Sequence, residues 1–206
     1  VGEQVARMLD ALDPLLADWR PDAVLVYGDT NSTLAGAIAA TRAGIPLAHV
    51  EAGLRSFDRT MPEEVNRIVA DHLARWRFAP TPAAVANLEA ERIGEGVTLV
   101  GDLMQDLAAR TLEAIRDPAL LATIGERLGL ALRPGGYCFA TVHRAENRDP
   151  AALRGWSELL AAVATPERPV VLALHPGTRA ALDGAGIALP DDVAVIEPQG
   201  YRCLLY

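Results

Sequence analysis

The 206-residue chain is 50% hydrophobic and sets 19 Lys and Arg against 27 Asp and Glu, for a net charge of −8. This acidic balance excludes a general binder of nucleic acid or anionic membrane, leaving only local basic pockets open. No apolar run approaches the ~20 residues of a membrane span and no charged leader precedes a short apolar stretch, so a cytoplasmic address is expected.

In chain order, the sequence opens inside an amphipathic helix carrying Val5, Met8, Leu9, Leu12, Leu15 and Leu16, expected to end before Pro14 or soon after it. With no initiator Met, and with apolar Cys203-Leu204-Leu205-Tyr206 at the other end, the chain reads as an internal fragment. A strand over Ala23 to Tyr27 leads into the turn Gly28-Asp29-Thr30-Asn31-Ser32, whose hydroxyls and amide suit the start of a helix over Thr33 to Ala43. Gly44 fits the C′ position, and Ile45 to Val50 is the next strand. The loop beginning Glu51-Ala52-Gly53-Leu54-Arg55 runs to Pro62, where a helix with the stripe Val65, Ile68, Val69, Leu73 and Trp76 starts. Arg77 to Pro80 is a short strand at best. Thr81-Pro82 caps a helix over Ala83 to Arg92, Val97 to Val100 is a strand, and a helix follows from about Met104 to Ile115.

Short apolar runs alternating with helices imply an α/β fold with parallel sheets. The reading gives a first domain over residues 1–116, a linker over 117–136, and a second strand-and-helix domain over 137–206. In the second, strands at Tyr137 to Val142, Pro169 to Leu174 and Val193 to Ile196 end at His143-Arg144, His175-Pro176 and Glu197-Pro198, with helices from Pro150 to Val163 and near Thr178 to Gly184. Both domains read as incomplete.

Ligands bind outside the carboxyl ends of the strands in such sheets, so Asp29 and Glu51 share a rim. Asp29 is either a turn former or a functional carboxylate; Glu51 either pairs with Arg55 or Arg67 or serves a site. Glu63 fits a Ser/Thr-x-x-Glu capping box with Thr60 and is also four residues from Arg67; Glu64 reads as a first-turn charge. His143 and His175 are candidate anion binders or acid/base groups, and Arg144 suits phosphate or a surface pair with Glu146. Cys138 and Cys203 match no CxxC or zinc spacing, and His49, His72, His143 and His175 form no metal pattern. With neither a Walker A nor a GxGxxG sequence, no metal and no cofactor are expected.

At VYGDTNST, HVEAGLRSFDRTMPEEVNR, VGDLMQD, TVHRAEN and LHPGTR the chain resembles the non-hydrolysing UDP-N-acetylglucosamine 2-epimerases. The resemblance implies two Rossmann-like domains in the glycosyltransferase-B arrangement with the active site in the cleft between them. It implies conversion of UDP-N-acetylglucosamine to UDP-N-acetylmannosamine, and commonly a homodimer. It places the catalytic residues on Asp29, Glu51, Glu63 and His143, the histidine meeting the nucleotide diphosphate beside Arg144, and leaves Arg55, Arg67, Arg144 and His175 as substrate-binding candidates. The family's Gly-Thr-Arg-Pro-Glu and Ser-Gly-Gly segments would lie outside these 206 residues. The competing readings are an inverting UDP-sugar glycosyltransferase, a hydrolysing epimerase, and a non-catalytic nucleotide-sugar-binding protein.

Overall fold

A computed structural model describes residues 2–116, 126, 135–142 and 145–205. The chain divides into two compact units, Val1–Asp106 and Leu107–Tyr206. Among the described residues, no helix is long and apolar enough to cross a membrane. The linker expectation over 117–136 falls almost wholly outside the described residues.

The first unit is a four-stranded parallel sheet in the order β1-β2-β3-β4, formed by β1 (Val24–Tyr27), β2 (Leu47–Val50), β3 (Trp76–Ala79) and β4 (Val97–Leu99). Around it run α1 (Gly2–Trp19), α2 (Asn31–Arg42), α3 (Pro62–Leu73), α4 (Pro82–Ala90) and the start of α5 (Leu103–Ala114). Its core is built largely from small side chains: Ala37, Ala40, Ala70 and Ala74 with Val26 and Leu47. Alanines on α2 allow a close helix–sheet approach, and a Cβ at Gly36 would stand only 3.0 Å from Cγ1 of Val26. Thr81 caps α4 as expected, its hydroxyl accepting from Ala84 N at 3.1 Å, and Gly44 takes the left-handed C′ position with φ +70°.

Several local expectations are overturned. Helix α1 runs through Pro14 to Trp19. Proline removes the bond to the carbonyl four residues back, but Asp10 and Pro14 are both exposed, so water can satisfy that carbonyl. Helix α3 buries Glu64, Asn66, Ala70 and Asp71, whereas Val65 of the apolar stripe is 43% exposed. Periodicity picks out apolar residues, and here the inward face is polar because it serves hydrogen bonds described below. The short Trp76–Ala79 strand is not marginal: it lies between β2 and β4.

The second unit holds a three-stranded parallel sheet, β5-β6-β7, from β5 (Cys138–Val142), β6 (Val170–Leu174) and β7 (Val193–Ile196). A 3-10 turn (Ala145–Arg148) precedes α6 (Pro150–Val163); α7 (Pro176–Ala185) and α8 (Tyr201–Leu204) follow β6 and β7. All five residues of β6 are buried, as a parallel strand covered on both faces requires, and Val170, Leu172 and Leu174 pack with Leu153, Leu160, Leu182 and Val193. Asp149 caps α6, accepting from Ala151 N at 2.8 Å and Ala152 N at 3.3 Å.

Candidate active site

The carboxyl ends of β1 and β2 lie side by side, Tyr27 in register with Val50. Beyond them the chain turns sharply: Gly28 has φ +62°, Glu51 +73° and Gly53 +82°. Gly28 N donates to Val50 O at 3.1 Å, and Glu51 N and Ala52 N both donate to Phe78 O at 3.1 Å, so the second turn curls over the end of β3. Glu51 is not glycine, and a left-handed backbone there costs about 1–3 kcal/mol, the kind of strain held where a side chain must be aimed. At Gly53 only glycine fits, because a Cβ would stand 2.3 Å from the carbonyl oxygen of Ala84.

Asp29 is held from three directions. His49 Nε2 donates to the Gly28 carbonyl at 2.8 Å, Asn66 Nδ2 donates to the Asp29 carbonyl at 2.9 Å, and the Arg67 guanidinium pairs with the Asp29 carboxylate. Asp29 and Glu63 line one hollow, together with Gln4, Thr30, Asn31 and Asn66. Glu63 is exposed and makes no hydrogen bond or ion pair among the described residues. Glu51 stands at the same rim with its carboxyl group set back against Gly28: a Cβ on that glycine would lie 3.6 Å from Glu51 Oε2. Desolvation, then the charges of Asp29 and Asp102, push the Glu51 carboxyl above its ordinary value; Arg67 and His49 pull the other way by less.

The capping box is not formed. Met61 is the N-cap of α3 without a side-chain bond, and the Thr60 hydroxyl donates to Asp58 at 2.7 Å. Glu64 closes the helix entrance instead: its buried carboxylate accepts from Ser56 N and Phe57 N, each at 2.9 Å, and from Arg67 Nη1 at 3.0 Å. Burial opposes its ionisation, yet these bonds hold its carboxyl below the ordinary range. Arg67 thus bridges Glu64 to Asp29 and sits at the rim.

Behind the rim lies a buried network that composition and spacing had not singled out. Asp71, fully buried, accepts from His49 Nδ1 at 2.7 Å, Gly53 N at 3.0 Å and Arg55 Nη1 at 2.7 Å. Arg55 also grips Glu91 with two parallel bonds of 2.6 and 2.8 Å, and its side chain is 1% exposed. Burial disfavours both charges, but the paired hydrogen bonds outweigh it, raising Arg55 and lowering Asp71 from their ordinary values. The structure therefore places Arg55 behind the rim as a brace between the loop, α3 and the Glu91 C-cap of α4. The signal in the sequence was the position of Asp71 directly after the apolar run Ile68-Val69-Ala70 on the helix.

In the second unit His175 is the N-cap of α7, its Nδ1 accepting from Gly177 N at 3.1 Å, and the Arg148 guanidinium lies close to Gly177. His143 and Arg144 lie outside the described residues.

The signs of these shifts predict an acid limb in stability. Asp71 and Glu64 are held below their ordinary values of 3.8 and 4.5, so their contribution is present above those values and lost as pH falls through the lower folded ones. Glu51, raised above 4.5, acts oppositely: folding gains from its protonation, and that gain disappears as pH rises through its folded value. Thermal melts below pH 4.5 should fall steeply, and Asp71→Asn should flatten the slope below pH 3.8; an unchanged slope in that variant contradicts the assignment.

The chain matches the family described as UDP-N-acetylglucosamine 2-epimerase over residues 1–206. It is 43% identical over 209 residues to the UDP-2,3-diacetamido-2,3-dideoxy-D-glucuronate 2-epimerase of Pseudomonas aeruginosa, covering 100% of this chain and 56% of that protein. It is 40% identical over 209 residues to a UDP-N-acetylglucosamine 2-epimerase homolog of Methanococcus maripaludis, covering 100% of this chain and 57% of that one. The crystal structure of the Methanocaldococcus jannaschii UDP-GlcNAc 2-epimerase in complex with UDP-GlcNAc and UDP superposes with a TM-score of 0.81 at 34% identity, over 98% of this chain and 56% of that one. The fold is α/β, of the glycosyltransferase-B type, and the chain spans about half the length of the curated relatives it matches.

Proposed function

This chain belongs to the UDP-N-acetylglucosamine 2-epimerase family, and we propose that the intact protein interconverts UDP-N-acetylglucosamine and UDP-N-acetylmannosamine by elimination and re-addition of UDP. The observation that carries this reading is the gathering of Asp29 and Glu51 at one strand rim, with Glu63 facing the hollow that Asp29 also lines. The C2 hydrogen of the sugar is weakly acidic, so its removal must be coupled to departure of the group on C1. A carboxylate takes the C2 proton, the C1–O bond breaks with its electron pair leaving on UDP, and a C1–C2 double bond forms. Reprotonation at the opposite face of C2 and attack by UDP on C1 give the epimer.

Each proton-handling residue has a physical basis. The raised proton affinity of Glu51 suits a group that must both take and return a proton. Arg67 fixes the Asp29 carboxylate, and Glu63, which has no partner among the described residues, is free to meet a ligand. We assign Arg67 to orienting Asp29 and Arg55 to bracing the loop. His143, Arg144 and His175 are assigned to the departing diphosphate, where cationic and N–H donors stabilise the charge that develops; for the first two the motif alone supports this.

The test is epimerisation in D2O by the intact protein, followed by proton NMR. Deuterium should enter at C2 of the product without any acceptor and without net accumulation of UDP. Retention of the C2 proton would exclude the elimination scheme, a requirement for an acceptor would indicate a glycosyltransferase, and accumulating UDP with free N-acetylmannosamine would indicate hydrolysis.

A second reading concerns the sugar alone. The 43% identity to a UDP-2,3-diacetamido-2,3-dideoxy-D-glucuronate 2-epimerase exceeds the 40% to the UDP-N-acetylglucosamine 2-epimerase homolog. The same C2 chemistry on that substrate is the alternative, and side-by-side kcat/KM values for the two nucleotide sugars decide between them.

A further inference from the structure

We propose that His49, protonated on both ring nitrogens, is the positioning residue that fixes Asp29 beside Glu51; the catalytic part of this inference rests on the epimerase reading. His49 is fully buried on β2, in register with Val26 of β1 and Arg77 of β3. Its Nε2 meets the Gly28 carbonyl at 2.8 Å, and a carbonyl only accepts, so this nitrogen carries a proton. Its Nδ1 lies 2.7 Å from Asp71 Oδ1. The other oxygen of Asp71 already accepts from Gly53 N and Arg55 Nη1, an arrangement that suits a carboxylate, so the proton of the short bond belongs on Nδ1.

The charged groups packed around the ring are one carboxylate and two guanidiniums. Asp71 of α3 faces it directly. Arg55 and Arg77 are turned to other acceptors: Arg55 to Asp71, Glu91 and the Leu54 carbonyl, Arg77 to the backbone carbonyls of Asp71 and Glu95. Glu51 and Asp29 stand beyond it at the rim. An imidazolium is the form that donates both bonds, one to the turn after β1 and one to the helix that also holds the turn after β2 through Gly53.

The mechanical consequence lies in one peptide group. The Gly28 carbonyl belongs to the Gly28–Asp29 peptide, so rotation of that peptide would swing the Asp29 backbone away from Asn66 and change the approach of its carboxylate to Glu51. With Gly28 at φ +62°, glycine's freedom leaves this peptide easily rotated unless something holds its oxygen. His49 supplies that hold and a positive charge near Glu51 without touching the substrate.

Two measurements test this. In the 206-residue chain labelled with 15N-histidine, the resonances absent from a His49→Gln sample should have imidazolium shifts, with protons on both nitrogens; a neutral, singly protonated ring overturns the proposal. In the intact protein, His49→Gln should lower kcat by about 100-fold, the scale of a 1 Å misplacement, while KM changes little. The limb of the pH profile governed by Glu51 should move to higher pH, because the lost cation had favoured its ionised form. Wild-type kcat and pH profile in folded His49→Gln would overturn the positioning role. Should that variant not fold, the 15N spectrum of the chain, assigned through a conservative His49→Asn sample or by bond-correlated NMR, still decides the protonation on which the proposal stands. Absence of epimerase activity in the unsubstituted protein would instead defeat the functional reading and leave the 15N result intact.

Discussion

Glu51→Gln in the intact protein is expected to lower kcat by roughly 10²–10⁴-fold, the usual contribution of a positioned acid/base group, with little change in KM. Glutamine keeps the size and one acceptor oxygen but cannot exchange a proton. Because desolvation and the neighbouring charges of Asp29 and Asp102 hold the Glu51 carboxyl above its ordinary value, its neutral replacement should hold or raise the melting temperature while activity falls. That divergence separates loss of chemistry from loss of fold. An unaffected kcat in a folded variant removes Glu51 from the catalytic set.

The largest stability effect should come from Asp71→Ala. Removing one member of a buried charge pair typically costs about 3–5 kcal/mol, and Asp71 leaves behind His49, Arg55 and the Gly53 amide, all bonded to it in the native chain. Against total stabilities of about 5–15 kcal/mol for a domain, that is enough to shift folding of the first unit decisively. Urea titrations should place Asp71→Ala well below the unsubstituted chain, with Asp71→Asn between them because it keeps the shape and one acceptor. A loss under about 1 kcal/mol for the alanine variant would mean that solvent or another group replaces the carboxylate.

Most strands were legible as compact apolar runs, and β6, α6 and β7 lie close to where the pattern put them, whereas β3, interrupted by Arg77, read as marginal. The rim carboxylates were legible for the same reason: a charged residue directly after a buried run must emerge at the sheet's edge. What escaped was the partnering of charges distant in sequence. Arg55 bonds Glu91 across 36 positions and Asp71 across 16, and no local spacing rule connects them. Glu63 and Glu64 were exchanged in role because the capping-box pattern registers the side chain three residues after Thr60, whereas burial depends on which face of α3 turns inward. His49 was invisible as a positioning group because its surroundings are assembled from β1, β2 and α3 together.

The double grip of Arg55 on Glu91, with Asp71 on its remaining amino group, also bears on how such a protein can be recombined. The loop from Glu51 to Phe57 is not a transplantable module: its shape is written partly in α3 and partly at the C-cap of α4. A chimera that moves this loop into another scaffold carries Arg55 without its two carboxylates, unless positions 71 and 91 travel with it. Loss of Arg55 strands the buried Asp71 and loss of Glu91 leaves the buried Arg55 with one carboxylate in place of two, so positions 55, 71 and 91 change at least cost together.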